Sequence, residues 1–131
     1  MDDPKVKEYW DRMRGDPRSI DELVTTALTE PDENVVWDAI CVLHFRGAKE
    51  VLDRAVALCH SDCVAERELG AHILGQLGIP ERTYPRECVL TLLEMLDSEV
   101  NADVLRAIFI ALGHLGEAAA AKAIEPVLKW V

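Results

Sequence analysis

The run Arg67-Glu68-Leu69-Gly70-Ala71-His72-Ile73-Leu74-Gly75-Gln76-Leu77-Gly78 decides the fold, because the chain spells its outline three times. Its apolar residues recur at intervals of three and four, the period of an α-helix. It closes on a glycine, which reaches positive φ without a Cβ clash and so ends a helix readily. The same outline stands in Val36-Trp37-Asp38-Ala39-Ile40-Cys41-Val42-Leu43-His44-Phe45-Arg46-Gly47 and in Leu105-Arg106-Ala107-Ile108-Phe109-Ile110-Ala111-Leu112-Gly113-His114-Leu115-Gly116. Each copy has an apolar or small pair at the fourth and fifth places, a leucine at the eighth and a glycine at the twelfth.

A second amphipathic pattern precedes each copy. Leu23 to Leu28 leads into Glu30-Pro31-Asp32, Leu52 to Leu58 into His60-Ser61-Asp62, and Leu92 to Leu96 into Asp97-Ser98-Glu99. The acidic residue of each turn is expected to accept from the free N–H groups at the start of the next helix. Ile124 to Val131 begins a fourth such pattern. Eight helices are therefore predicted, over 3–13, 18–29, 33–46, 48–60, 63–77, 84–96, 99–115 and 118–131. They make about four antiparallel pairs in a single domain over 1–131: an N-terminal capping pair in 1–30 and repeats over 31–61, 62–97 and 98–131. Asp3-Pro4 and the capping-box spelling Ser19-Ile20-Asp21-Glu22 mark helix starts. Gly15-Asp16-Pro17 reads as a turn, and Ile79 to Pro85 as the one longer connection. Pro126 either opens the last helix late or kinks it.

Composition narrows the function. Half of the 131 residues are hydrophobic, enough for a real core. No apolar stretch reaches the ~18 residues that cross a bilayer, and the first residues lack the order of a secretion signal. Cys41, Cys59, Cys63 and Cys88 fall in or at the ends of apolar helical patterns, which reads as reduced thiols in a cytoplasmic protein. The formal net charge of -10 disfavours nucleic acid and favours a basic partner, although solubility alone also accounts for it.

Catalytic and metal chemistry find little support. Cys59-His60-Ser61-Asp62-Cys63 has a metal-like look but no second ligand pair for a tetrahedral zinc site, so neither metal nor cofactor is expected. His44 and His114 lie near helix C-termini, where the dipole favours a cation, and His72 lies mid-helix. None has a nucleophile at a telling spacing. The acidic pairs Asp2/Asp3, Asp21/Glu22 and Asp32/Glu33 sit at helix starts, where capping explains them.

The spelling Arg67…Ala71…Leu74-Gly75-Gln76-Leu77-Gly78, with Asp62-Cys63-Val64 before it, resembles a HEAT repeat, and the likeness covers roughly residues 19–131. Val42 to Gly47, Arg54-Ala55 and Glu68 to Leu77 are similar to bacterial HEAT-repeat proteins encoded beside Rhs or contact-dependent toxins, which are suspected immunity proteins. Those relatives are longer, which reads this chain as a fragment or a short member. The resemblance implies a right-handed α-α superhelix, with the first helix of each pair convex and the second concave. It also implies that Arg67 meets an acidic group of the adjoining repeat and fixes the stacking.

On the second helices, Val51, Leu52, Ala55, Val56 and Leu58 are expected to face the core, as are Val89, Leu92, Met95 and Leu96. That leaves Lys49, Glu50, Asp53, Arg54 and His60 outside, then Glu87, Thr91 and Glu94 in a row, continued by Glu125 and Lys129. The expected function is a non-catalytic protein-binding module with this mainly acidic strip as its partner surface, possible partners including a basic toxin domain. Self-association through the apolar C-terminal helix is a further expectation. The alternatives are a bilin-lyase-like HEAT enzyme or chaperone, for which no pigment site is identifiable, and a scaffold in a larger assembly.

Overall fold

The computed structural model describes residues 3–116, and among them the helical spacing is realised throughout: seven α-helices and no strand. They are α1 (Pro4–Arg14), α2 (Ile20–Thr29), α3 (Glu33–Arg46), α4 (Lys49–Cys59), α5 (Val64–Gly75), α6 (Pro85–Ser98) and α7 (Ala102–His114). The helix expected over 118–131, with Pro126, lies outside the described residues.

Local chemistry sets the boundaries. Asp3 caps α1 by accepting from the Lys5 amide at 2.9 Å. Ser19 and Glu22 form a reciprocal capping box on α2, with bonds of 3.1 and 3.2 Å. Asp32 caps α3 through the Asn34 amide. The expected acidic caps fail at the other two turns. Cys63 opens α5 with no side-chain cap bond, and Asp62 is exposed. Asn101, not Glu99, caps α7 by accepting from Asp103 and Val104, so the helix starts later than its apolar pattern suggests. The three segment-ending glycines all take the left-handed region: φ is +55° at Gly47, +77° at Gly78 and +95° at Gly116.

Helices α3, α5 and α7 carry the three repeated segments. The leucine at the eighth place of each, Leu43, Leu74 and Leu112, is fully buried. Truncating any of them to alanine costs about 2–5 kcal/mol. α5 lies against α7, α3 touches α5, and α1 covers the other side of α3. On that side Tyr9 and Trp10 meet Phe45 at centroid distances of 5.9 and 6.2 Å, and Met13 is buried.

The expected units pair α3 with α4 and α5 with α6. Among the described helices the most extensive packing is α5 on α7, followed by α4 on α5 and α2 on α3, the last two across the polar turns. Gly70 lets α5 close on α4: a Cβ there would stand 2.7 Å from Cys59 Sγ and 2.9 Å from the Ala55 carbonyl. Short polar turns fold consecutive helices back on each other, whereas the Gly47 and Gly78 stops send the chain away from the helix it has just left.

The connection between α5 and α6 is fastened to the end of α3. The Gly78 amide donates to the His44 carbonyl at 2.7 Å, and Thr83 Oγ1 donates to the Gly47 carbonyl at 2.8 Å. Arg82 and Tyr84 adopt positive φ within it. His44 departs from expectation. It is 2% exposed, its Nε2–H donates to the His72 carbonyl at 2.8 Å, and burial pushes its pKa down to about 4. Loss of hydration outweighs the helix dipole that would have favoured a cation there.

Candidate functional site

Helices α4 and α6 lie side by side with a groove between them, and the lining residues follow one rule of spacing. Lys49, Leu52, Asp53 and Val56 on α4 and Glu87, Leu90 and Thr91 on α6 surround a cavity of about 410 Å³. His60 on one side and Glu94, Met95 and Ser98 on the other continue into a second cavity of about 310 Å³. Places i, i+3, i+4, i+7 and i+11 form one stripe of a helix. The stripe on α4 runs 49, 52, 53, 56, 60, and that on α6 runs 87, 90, 91, 94, 98. Since His60 meets Glu94 towards the ends while Lys49 and Glu87 share the first cavity, the two helices run the same way.

Most of the expected partner-binding residues therefore come together. Lys49, Asp53, Glu87 and Thr91 share the first cavity, and Glu94 lines the second. Glu50 is exposed beside the groove but lines neither cavity. Arg54 turns away and pairs with Asp21 on α2, which ties that helix to α4. Glu125 and Lys129 lie outside the described residues. Thr91 corrects the expected solvated row. It is buried, and its hydroxyl donates to the Glu87 carbonyl at 2.9 Å, so its hydrogen-bonding capacity is used within α6. Val56 departs too, being half-buried and on the groove.

Sequence reasoning missed Leu90. It is 53% exposed, one residue from the buried Val89, and forms an apolar rim over a floor that includes the buried Leu52. The signal was present, since Leu90 stands three after Glu87 and one before Thr91.

The charges around the groove are unequal. Lys49 Nζ pairs with Asp53 at 2.6 Å, so the Lys49 charge is matched on α4 itself. Among the described residues, no cation lies within ion-pairing distance of Glu50 or Glu87. His60 bridges the groove to Glu94: its Nδ1–H donates to the Val56 carbonyl at 2.8 Å, and Nε2 faces the carboxylate at 3.1 Å. Both contacts favour the doubly protonated ring, and the His60 pKa is raised, first by the Val56 bond and then by Glu94.

Arg67 stands at the far end of the second cavity. Its Nε and Nη2 donate to Glu99 at 2.8 and 3.1 Å, and its Nη1 donates to the Ser61 carbonyl at 3.1 Å. Glu99, only 4% exposed in its side chain, belongs to the turn that leads into α7. The cysteines do not converge. Cys63 is exposed, while Cys59 and Cys88 are buried, and burial pushes both of those thiols up to about 12. Among the described residues, no group of three or more His, Cys, Asp or Glu could hold a metal ion, and no helix is long and apolar enough to cross a membrane.

No protein-family model, curated protein or solved structure matches the chain.

Proposed function

We propose that this chain is a non-catalytic protein-binding module of HEAT-like design, and that the groove between α4 and α6 receives a basic, amphipathic helix from a partner protein. The observation that carries this reading is the apolar floor of Leu52 and Val56, rimmed by Leu90, with the exposed carboxylates Glu50 and Glu87, which no cation pairs with among the described residues. A helix laid in such a groove buries its apolar stripe and brings Lys or Arg to the acidic edge. The net charge of -10 steers the same class of partner over a longer range. A face made by two helices that run side by side, as α4 and α6 do, is what a superhelical repeat array would offer for docking.

The sequence resemblance extends the reading to one kind of partner, a basic toxin domain that this chain would neutralise as an immunity protein. Co-expression with the product of the adjacent gene tests that extension. Capture and loss of toxicity would support it, and free toxin would leave a docking module without the immunity role.

The groove itself is tested with a fluorescein-labelled amphipathic peptide of Leu and Lys, titrated by anisotropy. Leu90→Asp, at a half-exposed position, leaves the fold intact. It is expected to weaken binding about tenfold or more, as loss of a central apolar anchor does. Glu50→Lys with Glu87→Lys is expected to weaken it further and to flatten its salt dependence. Equal affinity in all three proteins would reject the groove.

A further inference from the structure

The groove between α4 and α6 is divided. Its first cavity ends at Val56 on α4 and Thr91 on α6, and the second continues from His60 and Glu94. The bridge from His60 Nε2 to Glu94 stands at that junction. One proton decides whether it holds. Nδ1 faces the Val56 carbonyl at 2.8 Å, and a carbonyl can only accept, so Nδ1 keeps its hydrogen in the neutral ring as well as the charged one. Nε2 then carries a hydrogen only when the ring is charged. In the neutral ring its lone pair points at a carboxylate, and the bridge is lost. The other described groups around His60 do not replace it. Arg67 of α5 and Glu99 of the turn before α7 line the same cavity but are bonded to each other. Glu66 of α5 accepts from Ser61 Oγ, and burial keeps the Cys59 thiol uncharged. Asp62 in the turn and Asp97 on α6 are exposed, where water and salt screen them.

Resting on the reading of this groove as a docking site, we propose that Glu94 is a seat for a cation of the docked helix and that protonated His60 competes for it, so that a long basic helix binds with loss of a proton. Length enters through the stripe on α4. From Lys49 to Val56 it rises about 10 Å, two helical turns, and to His60 about 16 Å, three turns. A two-turn helix fits the first cavity beside Glu50 and Glu87 and never reaches Glu94. A longer helix crosses the junction, and its Lys or Arg takes the carboxylate from the imidazolium. The side chains of His60 and Glu94 are 54% and 70% exposed, so this exchange disturbs no core packing and has the size of a surface ion pair. The Val56 and Glu94 contacts raise the His60 pKa above its ordinary value, which brings the exchange towards neutral pH. Above that pKa Glu94 is open to the partner, and below it the bridge holds the carboxylate.

Two rhodamine-labelled peptides of Leu and Lys test this on the full chain. Both are stapled to hold the helix and carry equal numbers of Lys, one about two turns long and the other about four. Affinities are read by anisotropy at about pH 5.5 and about pH 8, between which Lys and the exposed carboxylates keep their charge. The short helix reports the general field, which the other histidines also change. The long helix's affinity ratio, higher pH over lower, is expected to exceed the short helix's ratio about two- to fivefold. His60→Asn should bring the two ratios together by strengthening the long helix at the lower pH. Glu94→Gln should bring them together by weakening it at the higher pH. Equal ratios in the parent protein, or unequal ratios that survive His60→Asn, overturn the proposal and leave the groove standing. Failure of both helices to bind overturns the groove reading and the proposal with it.

Discussion

The guanidinium of Arg67 on α5 and the carboxylate of Glu99 are joined by two hydrogen bonds, and the same carboxylate accepts from the Val100 and Asn101 amides. One acidic side chain therefore fastens the turn before α7 and ties that turn to the preceding odd helix. The pair is held by geometry as well as charge, since a two-pronged guanidinium fits a carboxylate edge to edge.

Removing either partner should cost nearly as much as removing both. Glu99→Ala is expected to lower the melting temperature on the order of 5 °C, and the Arg67→Ala/Glu99→Ala double variant by little more. Additive losses in a double-mutant cycle would mean that the two groups act separately. The acid limb follows from the direction of the shift. The Arg67 bond, opposed by burial and aided by the Asn101 and Val100 amides, holds Glu99 below the usual carboxylate value. Its contribution is present above the ordinary carboxylate range and is lost as the pH falls through the lowered value. Thermal melts on the two proteins across that range should converge at low pH.

Two glycine-to-alanine changes should have opposite signs. Gly75→Ala drives a methyl into the backbone of α7 and is expected to destabilise by about 1–3 kcal/mol. Among the described residues a Cβ at Gly113 meets nothing within 4 Å, so Gly113→Ala gains helix propensity, stabilising the folded chain by about 0.5–1 kcal/mol. Urea unfolding of the two variants beside the parent checks both.

His44 should make the protein acid-sensitive above the carboxylate range. Its folded pKa of about 4 lies below the unfolded value of 6.5, so the unfolded chain binds the extra proton between them. Stability is at its plateau above pH 6.5 and falls as the pH drops towards 4, by roughly 3 kcal/mol from this residue. Substituting glutamine keeps a donor for the His72 carbonyl and removes the titration. His44→Gln should therefore show a pH slope between 4 and 6.5 that is shallower by one proton, read from unfolding curves at several pH values.

The thiols should separate by burial. Cys63 is exposed and should react first with a disulfide reagent; Cys41, half-buried, should follow. Cys59 and Cys88, with thiols raised to about 12, should react only on unfolding. Mass spectrometry of timed samples in native buffer and in denaturant gives the order. Early labelling of Cys59 would contradict the closeness of Gly70 to it.

What the sequence determined by itself was everything governed by short-range periodicity. A three-and-four spacing makes a helix whatever it packs against, so the seven helices were readable, as were the Ser19 capping box and the glycine stops at Gly47 and Gly116, whereas α5 ends at Gly75, three residues before Gly78. The stripe on α4 that supplies Lys49 and Asp53 was readable for the same reason. Tertiary structure decided how closely the helices approach, because the fit of α5 on α4 at Gly70 and of α7 on α5 at Gly75 depends on residues of another helix. It also buried His44 and Thr91, exposed Leu90, and drew Glu99 away from helix capping towards Arg67. Each of these depends on a neighbour distant in the chain, and burial is a property of the surroundings that no residue carries in its own spelling.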